Sequence, residues 1–438
     1  MTPEQPTGTA SLLKTYLLPR LRGTFMVRLV AQVLGFASSL LLTRWLGAEG
    51  YGVFAFAFAM VTLLALPASM GFRSLLTREV AQYLEHQSWG LLRGLQQFAV
   101  GATLLASLVL MLVTYSMIYL LPWPTDESLR QGLQLGLFSL PFFALVPVWQ
   151  GTLTGLHHTH RAQLPEGVIR PLFFLVVMVA VHFTIGPLST KEAIAINIGA
   201  MGVAMLISLS MVMRLQPVAP RKVHTAYRPK TWLKGGFYFL LISGMHVINS
   251  HTDILMIGTL LDAEQTGIYR IPVRLGSLLL FPFLVMEMVV APLIAQQHAK
   301  GKIATLQSTL RQLVGGVLLL TLIGGAVLAL FRSTILGWFG PAFPAGGEVL
   351  LWFVLIVLIQ VSFGPVGYLM SMTGHERITT QVMAVSAGVN IGLNIGLIPV
   401  LGISGAALAT LGSELLWKGL LYWQVRQRLG IRPGILPF

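Results

Sequence analysis

The chain has 438 residues, of which 55% are hydrophobic and 10% charged, with 29 Lys and Arg against 15 Asp and Glu, a formal charge of +14 and no cysteine. So much apolar material excludes a water-soluble domain, whose surface could not carry it. Disulfides and thiolate metal sites are excluded as well, and redox chemistry is silent about the compartment.

The chain opens with LLKTYLLPRLRG, residues 12–23, where Leu12, Leu13, Tyr16 and Leu17 stand against Lys14, Arg20 and Arg22. This segment suits an interfacial helix and equally a basic lead-in to the first span. A short apolar segment followed by a small-residue cleavage site is missing, so residue 1 is expected to be retained. Twelve apolar runs of membrane-crossing length, about 20 residues, follow at 24–44, 52–72, 95–121, 132–155, 168–186, 192–213, 234–260, 267–294, 312–331, 347–372, 378–399 and 403–424.

The turn between the first two runs, RWLGAEGYGVF (44–54), has a second copy in LLDAEQTGIYR (260–270): Leu46, Ala48, Glu49 and Gly52 match Leu261, Ala263, Glu264 and Gly267 at a shift of 215. Thr154-Gly155, after the fourth run, matches Thr373-Gly374, after the tenth, at a shift of 219. Between the sixth and seventh runs lies RLQPVAPRKVHTAYRPKTWLK (214–234), the longest polar stretch. Six spans per half make the repeats parallel, related by an axis along the membrane normal. The expected fold is an all-α polytopic membrane protein with twelve transmembrane helices in two parallel six-helix repeats around a central cleft. Its parts would be a cytoplasmic N-terminus (1–23), an N-lobe (24–213), a basic cytoplasmic linker (214–233), a C-lobe (234–424) and a cytoplasmic C-terminus (425–438).

Orientation follows from the basic residues, which cytoplasmic loops retain. With both ends inside, 23 of the 29 Lys and Arg fall on the cytoplasmic side; Arg44, Arg130, Lys191, Arg270, Arg274 and Arg332 are the remainder. The positive charge is thus a topology and lipid-surface signal. It does not imply nucleic acid, for which no aromatic-basic platform is present.

Ionisable side chains inside spans are costly unless they face a cavity or a partner, and each is a candidate for function. Arg28, Gln32, Gly35, Ser39 and Thr43 form one stripe at helical spacing in the first run. The seventh run carries Ser243, His246, Asn249, Ser250 and Asp253 in the same way, and the eighth adds Arg270, Arg274 and Ser277. Glu166 and Arg170 lie one turn apart in the fifth, and Ser386, Asn390 and Asn394 recur in the eleventh. Stripes at matching places in both halves predict a wet cleft lined by Arg28, Gln32, Arg170, Asn249, Arg270 and Arg274, with Asp253 and His246 as an ion-coupling pair. Other roles stand beside these. Small and amide residues glue membrane helices together, which suits Ser243, Ser386, Asn390 and Asn394. Glu166 with Arg170 and Glu414 with Lys418 read as local ion pairs, Arg28 can snorkel to the interface, and Glu287 reads as packing or as serving another partner. The run HHTH, with His157, His158 and His160, lies in a loop without a nearby acid and reads as solvated, so no metal site and no catalytic residue are expected.

Three stretches resemble the polysaccharide flippases of the multidrug/oligosaccharidyl-lipid/polysaccharide exporter superfamily. NIGLNIGLIPVLGISGAALATLGSE (390–414) is similar to their eleventh-to-twelfth helix signature. LTRWLGAEGYGVFAFAFAMVTLLALPASMGFRSLLTREVA (42–81) resembles their first-to-second helix turn, and ILGWFGPAFPAGGEVLLWFVL (335–355) their ninth-to-tenth connection. The resemblance implies a transporter rather than an enzyme, in the bacterial inner membrane, moving undecaprenyl-diphosphate-linked oligosaccharide outward by alternating access for O-antigen, capsular or exopolysaccharide synthesis. The cleft arginines would hold the diphosphate, whose geometry suits a guanidinium. Besides this substrate, the partners would be membrane lipids and polysaccharide polymerase or assembly proteins. No cofactor is expected; a proton or sodium gradient or the membrane potential would supply the drive. Two alternatives are weaker. An ion-coupled drug antiporter of the same superfamily needs buried acid, where the first run offers Arg28. A membrane glycan polymerase or ligase needs a sizeable catalytic outer loop, and the longest here spans 332–346.

Overall fold

The computed structural model describes residues 18–121, 123–217 and 224–435, and leaves the side chains of residues 18–22, 24, 242, 243 and 246 undescribed. The 12–23 segment therefore falls mostly outside the described residues, as does 218–223 within the basic segment.

Every regular element among the described residues is helical. The chain divides into two compact units, residues 27–267 and residues 268–438 together with the first 26 residues. The first unit holds most of α1 (Leu18–Ser69), then α2 (Phe72–Glu85), α3 (Trp89–Leu120), α4 (Glu127–Gly136), α5 (Leu140–Gly155), α6 (Thr159–Leu164), α7 (Arg170–Thr184), α8 (Thr190–Leu215) and α9 (Pro229–Leu260). The seventh expected span is α9, so it is compact with the first six. Helix α10 (Ala263–Leu279) begins in this unit and continues into the second, followed by α11 (Phe281–Ala299), α12 (Ile303–Leu330), α13 (Arg332–Gly337), α14 (Gly347–Phe363), α15 (Val366–Met372), α16 (Glu376–Leu401) and α17 (Ile403–Leu429).

The chain is an all-α polytopic membrane protein. Each of the twelve apolar runs falls on helix. Eight helical segments among the described residues are long and apolar enough to cross a membrane, and α10 with α11, bent by 43°, is so as a pair. Two of the expected spans are joined in α1, which is interrupted at Gly47, where φ is 72° and ψ −173°. The seventh and twelfth runs lie on α9 and α17. The arrangement is compatible with twelve crossings.

Helix outer faces are apolar where lipid would meet them: Leu105, Leu112, Phe183, Leu319 and Ile395 are all exposed. In water such a surface would drive aggregation, whereas in a bilayer it faces its preferred solvent. Helix α2 is different, an amphipathic segment between spans that buries Phe72, Leu75, Leu76, Val80 and Tyr83. These pack with Leu92 and Leu95 of α3, Val148 of α5 and Trp232 of α9. In the second unit, Phe283, Val290 and Ile294 of α11 pack with Leu306, Leu310 and Val314 of α12 and Leu421 and Val425 of α17.

The basic segment is anchored at its described C-terminal part. Ala226 donates its N–H to the Gly90 carbonyl (3.1 Å), Tyr227 donates its hydroxyl to Gln97 (2.6 Å), and Trp232 donates Nε1–H to the Tyr83 hydroxyl (3.1 Å). Asp126 ties two helix starts together. Its Oδ1 accepts from the N–H groups of Ser128 (2.8 Å) and Leu129 (3.3 Å) at the start of α4, while Oδ2 accepts from that of Ala263 (3.2 Å), the first residue of α10.

Candidate substrate and coupling site

Six of the expected site residues belong to the first unit: Arg28, Gln32, Arg170, His246, Asn249 and Asp253. On α1 the polar stripe separates into two parts. Its deeper members are engaged in packing, since Ser39 donates its hydroxyl to the Gly35 carbonyl (3.0 Å) and Thr43 to that of Leu40 (3.0 Å), and both are buried. Arg28 is exposed and Gln32 half-buried, so the stripe is available only toward the helix start.

Between α6 and α7 the chain makes a π-helical turn, Pro165–Ile169, closed by the Arg170 N–H on the Pro165 carbonyl. Pro171, at the second position of α7, has no N–H to contribute to a regular i→i−4 ladder there. Wider turns of this kind inside helices recur at functional sites. Here the turn sets Glu166 and Arg170 against α5. Glu166 Oε2 accepts from Gln150 Nε2 at 2.6 Å, and the Arg170 guanidinium lies over the Phe143 ring, 5.1 Å from its centroid. Gln150 is 3% exposed, and a buried amide in a membrane helix is stabilised by such a charged acceptor. The same turn packs on α1, because a Cβ at Gly167 would lie 3.2 Å from Val27 Cγ1 and 3.9 Å from Ala31 Cβ. Val27 and Ala31 are the immediate neighbours of Arg28 and Gln32 in sequence, so the turn packs on the stretch of α1 that also bears these two residues.

On α9, Asn249 and Asp253 share a face one turn apart. Asp253 is buried, and Asn249 Oδ1 is a buried acceptor without a hydrogen-bond donor among the described residues. The His246 side chain, expected beside them, lies outside the described residues.

Arg270 and Arg274 belong to the second unit, where both are half-buried one turn apart on α10 with Pro272 between them. Ser277 donates its hydroxyl to the Arg274 carbonyl (2.7 Å) just before the bend into α11.

The amide stripe of α16 serves helix packing. Ser386 donates to the Ser413 carbonyl (2.8 Å) and Asn390 Nδ2 to the Ser413 hydroxyl (3.3 Å), both on α17, while Asn394 Nδ2 donates to the Asn390 carbonyl (3.0 Å). No group of His, Asp or Glu among the described residues is arranged to hold a metal ion. A charged cluster in the second unit goes beyond the expected local pair. Lys418 is buried, with Nζ 4.2 Å from the Trp417 ring centroid and 5.5 Å from that of Phe283, and the carboxylates acting on it are Glu414 of its own helix and Glu287 of α11.

Gln150, Phe143 and the π turn were not expected from the sequence. Gln150 was visible as one of two amides in a mostly apolar run, but Phe143 is one of many aromatics, and the turn geometry depends on prolines at both of its ends.

Residues 23–298 match the family model described as "Polysaccharide biosynthesis protein". No curated protein matches the sequence significantly. Among solved structures, a multidrug resistance MATE family transporter of the MOP superfamily in an inward-facing conformation is 13% identical with a TM-score of 0.76, over 93% of this chain and 98% of that one. The lipid II flippase MurJ in an inward closed conformation is 15% identical with a TM-score of 0.69, over 92% of this chain and 86% of that one. A MOP superfamily transporter from Pyrococcus furiosus, described as having a binding pocket of reverse polarity, is 14% identical with a TM-score of 0.65, over 98% of this chain and 99% of that one. The chain belongs to the polysaccharide biosynthesis protein family and has the fold of the MOP superfamily transporters.

Proposed function

We propose that the protein is a flippase that carries undecaprenyl-diphosphate-linked oligosaccharide from the cytoplasmic to the outer leaflet of the bacterial inner membrane, supplying O-antigen, capsular or exopolysaccharide assembly. The observation that carries this reading is the neighbourhood on the first unit where the Arg170 turn packs beside the stretch of α1 bearing Arg28. Cationic side chains at membrane depth suit a diphosphate, and guanidinium forks bind its oxygens in pairs. Arg270 and Arg274 add the same chemistry on the second unit. The likeness to MurJ, a lipid II flippase, supports a lipid-linked substrate; the likeness to MATE transporters is one of fold.

In this reading the linker and both termini are cytoplasmic, and polysaccharide polymerase or assembly proteins take up the product. An inside-negative potential favours outward movement of the anion by about 2.3 kcal/mol per charge per 100 mV, and Asp253 with Asn249 and His246 binds the ion that resets the transporter. Purified protein in proteoliposomes, loaded on one leaflet with a fluorescent undecaprenyl-diphosphate glycan, tests this reading. Transfer across the bilayer supports it, and transfer of cationic drugs instead of the glycan lipid refutes it.

A further inference from the structure

Away from the Arg28–Arg170 neighbourhood, the first unit has a pocket of about 700 Å³ between α3, α5 and α8. This volume falls within the ~300–1,000 Å³ of ligand sites. Its two ends differ in chemistry. Toward the start of α3 and the end of α8 the lining is Trp89, Arg93, Gln96 and Gln216; deeper along the same helices it is Val100, Leu209 and Val212. Trp149 of α5 forms part of the wall.

The polar end is a membrane boundary, because α3 begins at Trp89 and α8 ends at Leu215 there. It is also the end that leads into the basic segment, and no Asp or Glu lines the pocket. Gln96 and Gln216 bridge α3 to α8 by a reciprocal amide pair, each Nε2 donating to the other's Oε1 at 3.3 and 3.2 Å. Each amide spends one N–H in that pair and keeps one. Arg93 is exposed and makes no ion pair among the described residues. The mouth thus presents amide N–H groups, a guanidinium and an indole at headgroup level, as expected for a lipid phosphate.

At the far end the pocket opens onto the exposed face of α3 at Gly101. A Cβ built on Gly101 meets nothing within 4 Å. From Trp89 to Gly101 the helix rises about 18 Å, close to the ~15 Å of hydrocarbon in one leaflet. That length suits an acyl chain of a single-leaflet lipid and falls short of an extended polyprenyl chain.

We propose that this pocket is a binding site for one anionic glycerophospholipid of the adjoining leaflet, its phosphate held by Arg93 with the spare N–H groups of Gln96 and Gln216, and one acyl chain running along α3 to Gly101. The site is independent of the glycan substrate. Its occupant braces α3, α5 and α8 against one another.

Native mass spectrometry of the delipidated full-length protein, titrated with phosphatidylglycerol or phosphatidylcholine, tests the proposal. Wild type should retain one phosphatidylglycerol about fivefold more strongly than phosphatidylcholine, the discrimination expected of one basic residue at the surface. Arg93→Gln should abolish that preference while leaving weak retention of both lipids. Gly101→Trp should weaken retention of both by filling the far end of the groove, and Gly101→Leu provides a smaller plug if the tryptophan variant does not fold. Equal retention of the two lipids by wild type, unchanged preference in Arg93→Gln, or displacement of phosphatidylglycerol by equimolar undecaprenyl phosphate would each overturn it.

Discussion

Gly52 and Gly267, which occupy the same place in the two copies of the repeated turn, pack directly against each other's helices. A Cβ on Gly52 would stand 1.7 Å from the Ala263 carbonyl oxygen, and one on Gly267 2.0 Å from that of Ala48. Ala48 and Ala263 are themselves repeat mates, so the contact is reciprocal in the manner of a two-fold interface, with each partner using the same residues. Close backbone approach at small residues is how helices associate where lipid removes the hydrophobic drive. The two copies of the turn, 215 residues apart in sequence, meet in the fold.

Gly52→Ala and Gly267→Ala should each destabilise the protein by at least the ~1–3 kcal/mol of an overpacked core site, since carbonyl groups rather than flexible side chains must yield. Gly47→Ala provides a control. Its φ of 72° and ψ of −173° lie where only glycine is at ease, and a Cβ there meets nothing within 4 Å, so its cost of about 1–3 kcal/mol is backbone strain alone, without displacement of a neighbouring carbonyl. Thermal unfolding in detergent measures all three, and equal melting points for Gly52→Ala and wild type would contradict the close approach.

Tyr83→Phe removes the acceptor for the Trp232 indole N–H, which is buried between α2 and α9. An orphaned buried donor costs about 1–3 kcal/mol. The variant should melt earlier, whereas Tyr83→Phe combined with Trp232→Phe should recover part of that loss because the orphan is gone. A double variant less stable than the sum of the two single losses would exclude this account.

The parts of the fold that were legible before the structure are those governed by composition and period. Twelve runs of apolar residues lie on helices because the bilayer leaves the backbone no other way to satisfy its hydrogen bonds. The turn repeat was legible as well, though not its self-contact, since a shift of 215 residues says nothing about which surfaces touch. The α1 stripe was read as one face, and its period was right. Ser39 and Thr43, however, can satisfy their hydroxyls on their own helix backbone, so a polar stripe need not line a cleft along its whole length. Arg170 lay within reach of a sequence argument through Glu166, but its ring partner Phe143 and the amide of Gln150 come from another helix. Pairings between helices are set by packing, which periodicity along one helix does not encode.

Lys418→Met should destabilise the second unit by roughly 3–5 kcal/mol, the cost of removing one partner from a buried charge cluster. Glu287→Gln in the same chain should restore much of that, because the carboxylate left behind on α11 is neutralised. A double-variant cycle read by thermal unfolding distinguishes this from simple packing: additive effects would mean that Glu287 and Lys418 do not interact.

Arg28→Ala and Arg274→Ala should each reduce glycan export at least tenfold at near-normal membrane abundance, as expected when one charge-assisted hydrogen bond of about 1.5–3 kcal/mol to the diphosphate is lost. Lysine at either position should rescue in part, since it keeps the charge and loses the paired donors. The measurement is surface polysaccharide in a strain depending on this protein, with abundance followed by blotting. Export at wild-type level in both alanine variants would remove the basic residues from the mechanism.

In the proposed function, coupling to an ion gradient rests on Asp253. It is buried on α9, one turn from Asn249, whose Oδ1 is a buried acceptor without a donor among the described residues. A carboxylate and an amide oxygen on one helix face offer two oxygen ligands to a sodium ion, or a proton site with an acceptor beside it. An ion biases a two-state transporter only by its difference in affinity between the states. Moving the turnover equilibrium from 1:99 to 99:1 takes about 5.5 kcal/mol of that difference. Asp253→Asn keeps the size and removes the charge, so glycan-lipid binding should persist while the response of flipping to an imposed pH or sodium gradient disappears. Asn249→Leu should weaken the sodium response and spare a response to pH, because a proton needs the carboxylate and a metal ion needs both oxygens. Proteoliposomes with each gradient imposed separately give the readout. If wild type ignores both gradients, or if Asp253→Asn follows them as wild type does, the carboxylate serves to hold α9 in place and the drive comes from the membrane potential acting on the anionic substrate.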